Sequence, residues 1–325
     1  MRSLSGIQPS GILHIGNYFG ALKQFVDLQE KYEGLYFLAD YHALTSNPNP
    51  DKLRENTINV LLDYLALGLD PNKSTIFLQS DIPIHTELMW ILNNITPLAL
   101  LERGHAYKDK ISKGLKPNTG LFTYPVLMAA DILMYDTDLV PVGKDQKQHV
   151  EFARDIATKF NEFYNSNIFK LPEALIMESV AVVNGTNGEK MSKSYGNVIN
   201  MFLPEKELKK QVMSIVTDSK SLEEAKDPNN NITKIYELFA TKEEVEEMKE
   251  KFIKGNYGYG TAKKELLGKI LEYFSDARQK REKLANNLDY VREILEKGKM
   301  KASKIAEKKM EIVRKTVGLY KWYIF

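Results

Sequence analysis

The first half of the chain alternates two kinds of segment. Short apolar runs, "LSGI" at 4–7, "LYFLAD" at 35–40, "STIFLQS" at 74–80 and "DLVPVG" at 138–143, read as buried strands. Between them, stretches with apolar residues three and four apart begin near Gly16, Asp51, Ile84 and Gln146 and read as helices. Strands separated by helices run parallel, with the crossovers covering both faces of the sheet. The pattern therefore predicts an α/β fold, a Rossmann-like doubly wound parallel sheet. Pro50 and Asp51 signal the start of one helix and Gly68 its stop. The stretch from about 84 to 135 holds two or more helices between strands, too many for a simple crossover, and reads as an insertion.

After about Asn200 the strand signal disappears. "KELKKQVMSIV", "NITKIYELFA", "EEVEEMKEKFI", "AKKELLGKILEYF" and the run from Ser275 to about Gly318 all have helical apolar spacing. Gly255, Gly258 and Gly260 mark a loop among them, and "DPNNN" is a polar turn. A length of 325 residues suits two domains. The expected division is an α/β unit at 1–199 followed by an all-helical unit at 200–325.

Composition narrows the chemistry. There are no cysteines, which excludes disulfides, thiolate metal sites and a catalytic thiol, and fits a reducing, cytoplasmic setting. None of His14, His42, His85, His105 and His149 sits at His-x-x-x-His spacing, so no zinc site is expected. No run of about eighteen apolar residues suggests a membrane span. A strand-like segment almost at the first residue leaves no room for a signal peptide. Charge is uneven: Thr261–Phe325 holds 17 Lys and Arg against 9 Asp and Glu, while the remainder is mildly acidic. That basic end suits either a lysine-rich solvated helix surface or a polyanionic partner.

Two segments carry chemistry. "SGIQPSGILHIGNYFGAL" at 5–22 places Gly6, Gly11, Gly16 and Gly20, with His14 and Asn17, around a predicted strand-to-helix junction. It matches neither a dinucleotide fingerprint nor a P-loop. A helix start offers free N–H groups suited to phosphate, and Gly16 lets a flat base approach the backbone. A glycine-rich turn needed only for tight packing would look similar. The second segment, "EKMSKSYGN" at 189–197, places Lys190 and Lys193 three apart on a loop flanked by glycines, expected to be mobile over about 184–197. Such lysines meet charge that develops on a departing pyrophosphate.

His-Ile-Gly-Asn followed about 175 residues later by Lys-Met-Ser-Lys-Ser resembles the signatures of the class I aminoacyl-tRNA synthetases. With "TYPVLMAADIL" at 123–133 and "VPVGKDQKQHVEFARD" at 140–155, the resemblance is to the bacterial-type tryptophanyl members and covers at least Ser5 to about Asn200. Asn17 stands where the last histidine of the signature often lies. The resemblance implies His14, Asn17, Lys190 and Lys193 as catalytic. It implies ATP contacts from Gln8, Pro9, Ser10, Gly16, Gly143, Lys144, Asp145, Val182, Met191, Ser192 and Ser194. Asp145 is equally suited to cap the helix that follows it.

For the amino acid, tyrosyl relatives typically carry glutamine where this chain has Met128, a soft apolar surface suited to an indole. Asp131, alone on an apolar helix, is expected to lack a protein partner and to accept the indole N–H; a structural donor is the other reading. By resemblance Leu4, Met128, Val140 and Val142 line the ring, Tyr124 and Gln146 hold the ammonium, and His42 approaches the carboxylate. Val140 and Val142 also suit ordinary strand packing, and His42 a plain surface position. Lys108 or Lys110 is a further candidate for pyrophosphate, against a solvated charged face.

The reaction so implied is ATP-driven activation of tryptophan to its adenylate, with release of pyrophosphate, followed by transfer to the 3′ end of tRNA(Trp). Mg²⁺ would travel with the phosphates, with no protein-ligated metal. The basic helical region would meet the anticodon arm, with Arg278, Lys280 and Arg281 as candidates, and the insertion would form a homodimer interface. A tyrosyl enzyme, a smaller nucleotidyltransferase and a catalytically silent nucleic-acid-binding paralogue are the alternatives.

Overall fold

The computed structural model describes residues 1–9, 11–46, 48–114, 116–143, 147–176 and 183–319. Strands β1 (Arg2–Ile7), β2 (Glu33–Leu38), β3 (Ser74–Leu78), β4 (Leu139–Val142) and β5 (Glu173–Ile176) form one sheet in the order β3-β2-β1-β4-β5. Every pairing is parallel; Leu4 lies opposite Leu35, and Ser3 opposite Leu139. Strand β5 is absent from the sequence reading. Its four residues, "EALI", begin with an exposed glutamate and are otherwise only half-buried, so they form no continuous apolar run. Side chains alternate between the faces: Leu35 and Phe37 enter one core, Tyr36 and Leu38 the other.

The chain order reverses between β1 and β4, which opens a crevice at the carboxyl ends of these two strands. The helix expected from Gly16 is in three pieces: α1 (Ile15–Asn17), a π-helical turn (Tyr18–Leu22) and α2 (Lys23–Leu28). The wide turn carries Tyr18 and Phe19 against Phe274 and Phe239, with ring centroids 5.2 and 5.4 Å apart. Tertiary aromatic packing here overrides a continuous helix. A short α3 (Asp40–Ala43) follows β2.

Helix α4 (Pro50–Ala66) starts and stops where its signals lie. Asn49 Oδ1 accepts the N–H groups of Asp51 and Lys52 at 3.0 and 3.1 Å, and Gly68, at φ +112°, turns the chain away. The stretch 84–135 holds α5 (Ile84–Asn93), α6 (Leu98–Leu101), α7 (His105–Ser112) and α8 (Thr119–Leu133). Then α9 (Lys147–Phe163) returns the chain to the sheet.

From residue 200 the described chain forms α10 (Glu205–Met213), α11 (Asn231–Tyr236), α12 (Lys242–Lys254), α13 (Tyr259–Tyr273), α14 (Ser275–Ala285) and α15 (Leu288–Thr316). These helices do not stand apart from the sheet. Phe252, Ile270 and Phe274 share a core with Ile15, Leu38 and Leu65. Helix α15 runs back along β3, an edge strand. Gly298 lies so close that a methyl group on it would come within 1.8 Å of the Ile76 carbonyl oxygen. Beyond that crossing, Ala302, Ala306, Met310 and Val313 enter the core on the other face with Phe77 and Phe160. Arg314 Nε donates to Glu87 Oε1 of α5 at 2.6 Å, and Lys309 donates to Ile168 O at 3.0 Å. No helix among the described residues is long and apolar enough to cross a membrane.

Candidate active site

A cleft of about 1160 Å³ opens at the carboxyl ends of β1 and β4. One end is apolar. Leu4 from β1, Val140 and Val142 from β4, and Met128 from α8 line it, with Tyr124, His42 and Asp131 among them. The other end is bounded by Gln8, Gly16, Asn17, Lys190 and Lys193. Gly143 also lines the cleft. Two segments nearly 175 residues apart in the sequence therefore meet across one cavity.

The signature turn is held by its own polar groups. His14 N–H donates to Asn17 Oδ1 at 3.1 Å, and Ile15 N–H donates to Ile199 O at 3.0 Å. His14 is buried behind Gly16: a methyl on Gly16 would lie 2.9 Å from His14 Nδ1. Burial, and then the Lys193 ammonium, lower the imidazole pKa to about 4, so it is neutral at ordinary pH.

The loop at 184–197 is organised by Asn197, which is buried. Its Oδ1 accepts Ser192 N–H at 2.8 Å, and its Nδ2 donates to Lys190 O at 3.1 Å and Asn187 Oδ1 at 2.6 Å. Asn231 of α11 donates to Gly185 O at 2.8 Å and so ties the loop to the helical region. Met191 is buried in the core, which leaves Lys190 and Lys193 directed to the cleft. Ser192 and Ser194 bond each other at 2.8 Å and are not among the described lining residues. Pro9 is buried beside this end. Lys108 and Lys110 do not line the cleft, although His105 at the start of their helix does. Ser10, Lys144, Asp145, Gln146 and Val182 lie outside the described residues.

Asp131 departs from its expected state. It is 1% exposed, but it has protein partners. Oδ2 lies 2.7 Å from His42 Nε2; Oδ1 accepts from Gln79 Nε2 at 2.8 Å and lies 2.6 Å from His85 Nδ1. His85 Nε2 in turn meets Tyr135 Oη at 2.7 Å. A buried carboxylate needs donors in the free protein too, and α5 and the turn after β3 supply them. Burial raises its pKa, but the hydrogen bonds and charge interactions of His42 and His85 outweigh that and hold it below the usual carboxylate range. A carboxylate has about four acceptor positions; three are taken, so one on Oδ2 remains, and Asp131 lines the cleft. Gln79, His85 and Tyr135 escaped the sequence reading, although a lone histidine on the apolar "IHTELMWIL" is a signal that a buried partner exists. His149 was also missed; its Nε2 lies 2.7 Å from Tyr124 Oη.

Two proposed nucleic-acid contacts are corrected. Arg278 donates to Leu203 O at 2.8 Å and to Met201 O, and Arg281 donates to Asp63 Oδ1 at 2.5 Å and Asn59 Oδ1 at 2.8 Å. Arg281 fastens the helical region to α4, and Arg278 holds α14 against the segment that leads into that region. Lys280 is exposed.

The class I tRNA synthetase model for tryptophan and tyrosine matches residues 1–275. The tryptophan–tRNA ligase of Fusobacterium nucleatum is 65% identical over 318 residues, which cover 98% of both chains. The crystal structure of Campylobacter jejuni tryptophanyl-tRNA synthetase, complexed with ADP and tryptophan, superposes with a TM-score of 0.94 at 53% identity, covering 98% of this chain and all of that one. A tyrosyl-tRNA synthetase of Archaeoglobus fulgidus shares the fold at 23% identity and a TM-score of 0.62, covering 86% of this chain and 90% of that one.

Proposed function

This chain belongs to the class I tRNA synthetases for tryptophan and tyrosine, in the branch of the tryptophan–tRNA ligases, and on that premise we propose how its residues divide the work. The activity is ligation of tryptophan to its tRNA at the expense of ATP. The observation that carries the residue assignment is the shared cleft, with Met128, Val140 and Asp131 at one end and Gly16, Lys190 and Lys193 at the other.

At the apolar end Leu4, Met128, Val140 and Val142 enclose the indole, and the open position on Asp131 accepts its N–H. Tyr124 and Gln146 take the ammonium, and His42 stands beside the carboxylate. The resemblance assigns ATP contacts to Gln8, Pro9, Ser10, Gly16, Asn17, Gly143, Lys144, Asp145, Val182, Met191, Ser192 and Ser194, of which Gln8, Gly16, Asn17 and Gly143 line the cleft. A tryptophan carboxylate oxygen attacks the α-phosphorus, and the bond to the β-phosphate oxygen breaks. Lys190 and Lys193 meet the negative charge on the departing pyrophosphate. His14, neutral and wedged behind Gly16, fixes the turn against the nucleotide. The terminal adenosine hydroxyl of tRNA then attacks the acyl carbonyl and AMP leaves. No protein nucleophile is needed; positioning and charge stabilisation carry the rate.

Among the described residues no group of three carboxylates or imidazoles could hold a metal ion. Magnesium in this reading is bound by the nucleotide's phosphates and water, and it supplies charge neutralisation there. Residues 1–199 catalyse and 200–325 bind the anticodon arm, where Lys280, Lys297, Lys301 and Lys304 are exposed. A homodimer through 84–135 is supported by Trp90 and Leu98, which are 70% and 67% exposed. Residence in the cytoplasm with the tRNA pool belongs to the same reading. The test is ATP–pyrophosphate exchange with each of the twenty amino acids: tryptophan alone should support turnover, and turnover with tyrosine instead would overturn the pocket assignment.

A further inference from the structure

Helix α4 carries a polar ridge that the reaction described above does not use. Asn56, Asn59 and Asp63 are spaced three and four apart and share one face of the helix. At one end Asp63 is fully buried, and Arg281 bridges its Oδ1 and Asn59 Oδ1 at 2.5 and 2.8 Å. At the other end the ridge reaches the cleft. A methyl on Gly11 would lie 3.8 Å from Asn56 Oδ1 and 3.6 Å from Lys193 Nζ, so the amide and the ammonium sit against the same glycine. A salt bridge that only joined α14 to α4 would explain Arg281, Asn59 and Asp63. It would not explain a polar row that continues to the Lys193 ammonium.

We infer that Asn56 and Asp63 are positioning residues for Lys193: the ridge holds the ammonium at the nucleotide end of the cleft, and Arg281 secures the ridge from the helical region. The inference rests on the assignment of Lys193 to the departing pyrophosphate. Charge supports it in both directions: Asp63 raises the Lys193 pKa against the effect of burial, and Lys193 lowers that of Asp63. Helix α14 thus has a physical route to the reacting phosphates that bypasses the amino-acid pocket.

The test is tryptophan-dependent ATP–pyrophosphate exchange on the full chain, with kcat and both KM values measured for Asn56→Ala, Asp63→Asn and Arg281→Lys, each alone and combined with Lys193→Ala. Asn56→Ala and Asp63→Asn should lower kcat at least fivefold and leave KM for tryptophan within twofold. The loss should vanish where Lys193 is already alanine, and Arg281→Lys should retain most of the rate. Asn56 is half-exposed on a helix and alanine is the better helix former, so this variant keeps the test standing if Asp63→Asn does not fold. A kcat within twofold of the unmodified enzyme for Asn56→Ala, or an equal loss in the Lys193→Ala background, would overturn the positioning role. Lys193→Ala exchanging at the full rate would instead remove the assignment beneath it.

Discussion

Alanine at position 298 should destabilise this protein, although helix propensity alone says the opposite. In an exposed helix interior Gly→Ala gains about 1 kcal/mol. Here the added methyl carbon would lie 1.8 Å from the Ile76 carbonyl oxygen and 2.6 Å from its carbon. A carbon-to-oxygen contact settles near about 3.3 Å, so helix and strand must separate by roughly 1.5 Å, and both sides of the clash are backbone that cannot rotate away. The separation also loosens Ala302, Ala306, Met310 and Val313, which follow on the same helix and are buried. Overpacking costs about 1–3 kcal/mol, and an unyielding contact belongs at the upper end. Less the propensity gain, the net loss is about 2 kcal/mol, or roughly 3 °C in Tm for a chain of 325 residues at about 2.1 cal/mol/K of unfolding entropy per residue. Scanning calorimetry of Gly298→Ala beside the parent reads this directly, and hydrogen exchange of the β3 amides shows whether the loss sits at that edge. A Tm equal to or above the parent's would refute the close seating of α15 on β3.

Other outcomes follow from the site. Asp131→Asn places an amide among three donors; a hydrogen bond to a charged acceptor is worth about 1.5–3 kcal/mol, so kcat/KM for tryptophan should fall roughly 10- to 150-fold, and a change below threefold would show that the carboxylate does not read the ring. His85→Phe removes one donor and leaves burial less opposed at Asp131, so tryptophan affinity should weaken more on acidification than in the parent; identical pH dependences would show that His85 does not hold the carboxylate ionised. The His14 imidazole resonance should titrate near 4 and move upward in Lys193→Ala; a midpoint above 6 in the parent contradicts its burial. The unfolded imidazole, at its ordinary value near 6.5, takes a proton that the folded one refuses until about 4, so His14 withdraws about 3 kcal/mol of stability as pH falls across that window. Asp63 works with the opposite sign. Burial first, opposed by Arg281, raises its folded pKa to about 6 from 3.8, so as pH falls through that window stability rises by about 3 kcal/mol. Asp63→Asn should therefore show a steeper acid loss than the parent in urea titrations at pH 6.5 and 4, and parallel slopes would overturn this balance.

The sheet was legible because β1 to β4 are continuous apolar runs bounded by turn signals, and α4 because Pro50, Asp51 and Gly68 act locally. Strand β5 was not legible, since its pairing with β4 supplies what its sequence lacks. The π-helical turn at Tyr18–Leu22 was also hidden, because Tyr273 at the end of α13, Phe274 just after it and Phe239 after α11 impose it. Within the cleft, Gly16, Asn17, Lys190 and Lys193 announce themselves by motif. The partners of Asp131 come from three separated segments, and no local pattern joins Gln79 and His85 to α8. Arg278 and Arg281 looked like surface cations because charge on a helix carries no record of what packs against it.

The crossing of α15 over β3 also has a consequence for synthesis. Ile76 leaves the ribosome 222 residues before Gly298. At about 5–20 residues per second, the outer margin of the sheet stays bare for on the order of 10–40 s. A naked strand margin invites pairing with a neighbouring nascent chain. The hazard of misassembly is therefore greatest during translation, and a slow codon stretch late in the message would lengthen it without altering a single residue of the finished enzyme.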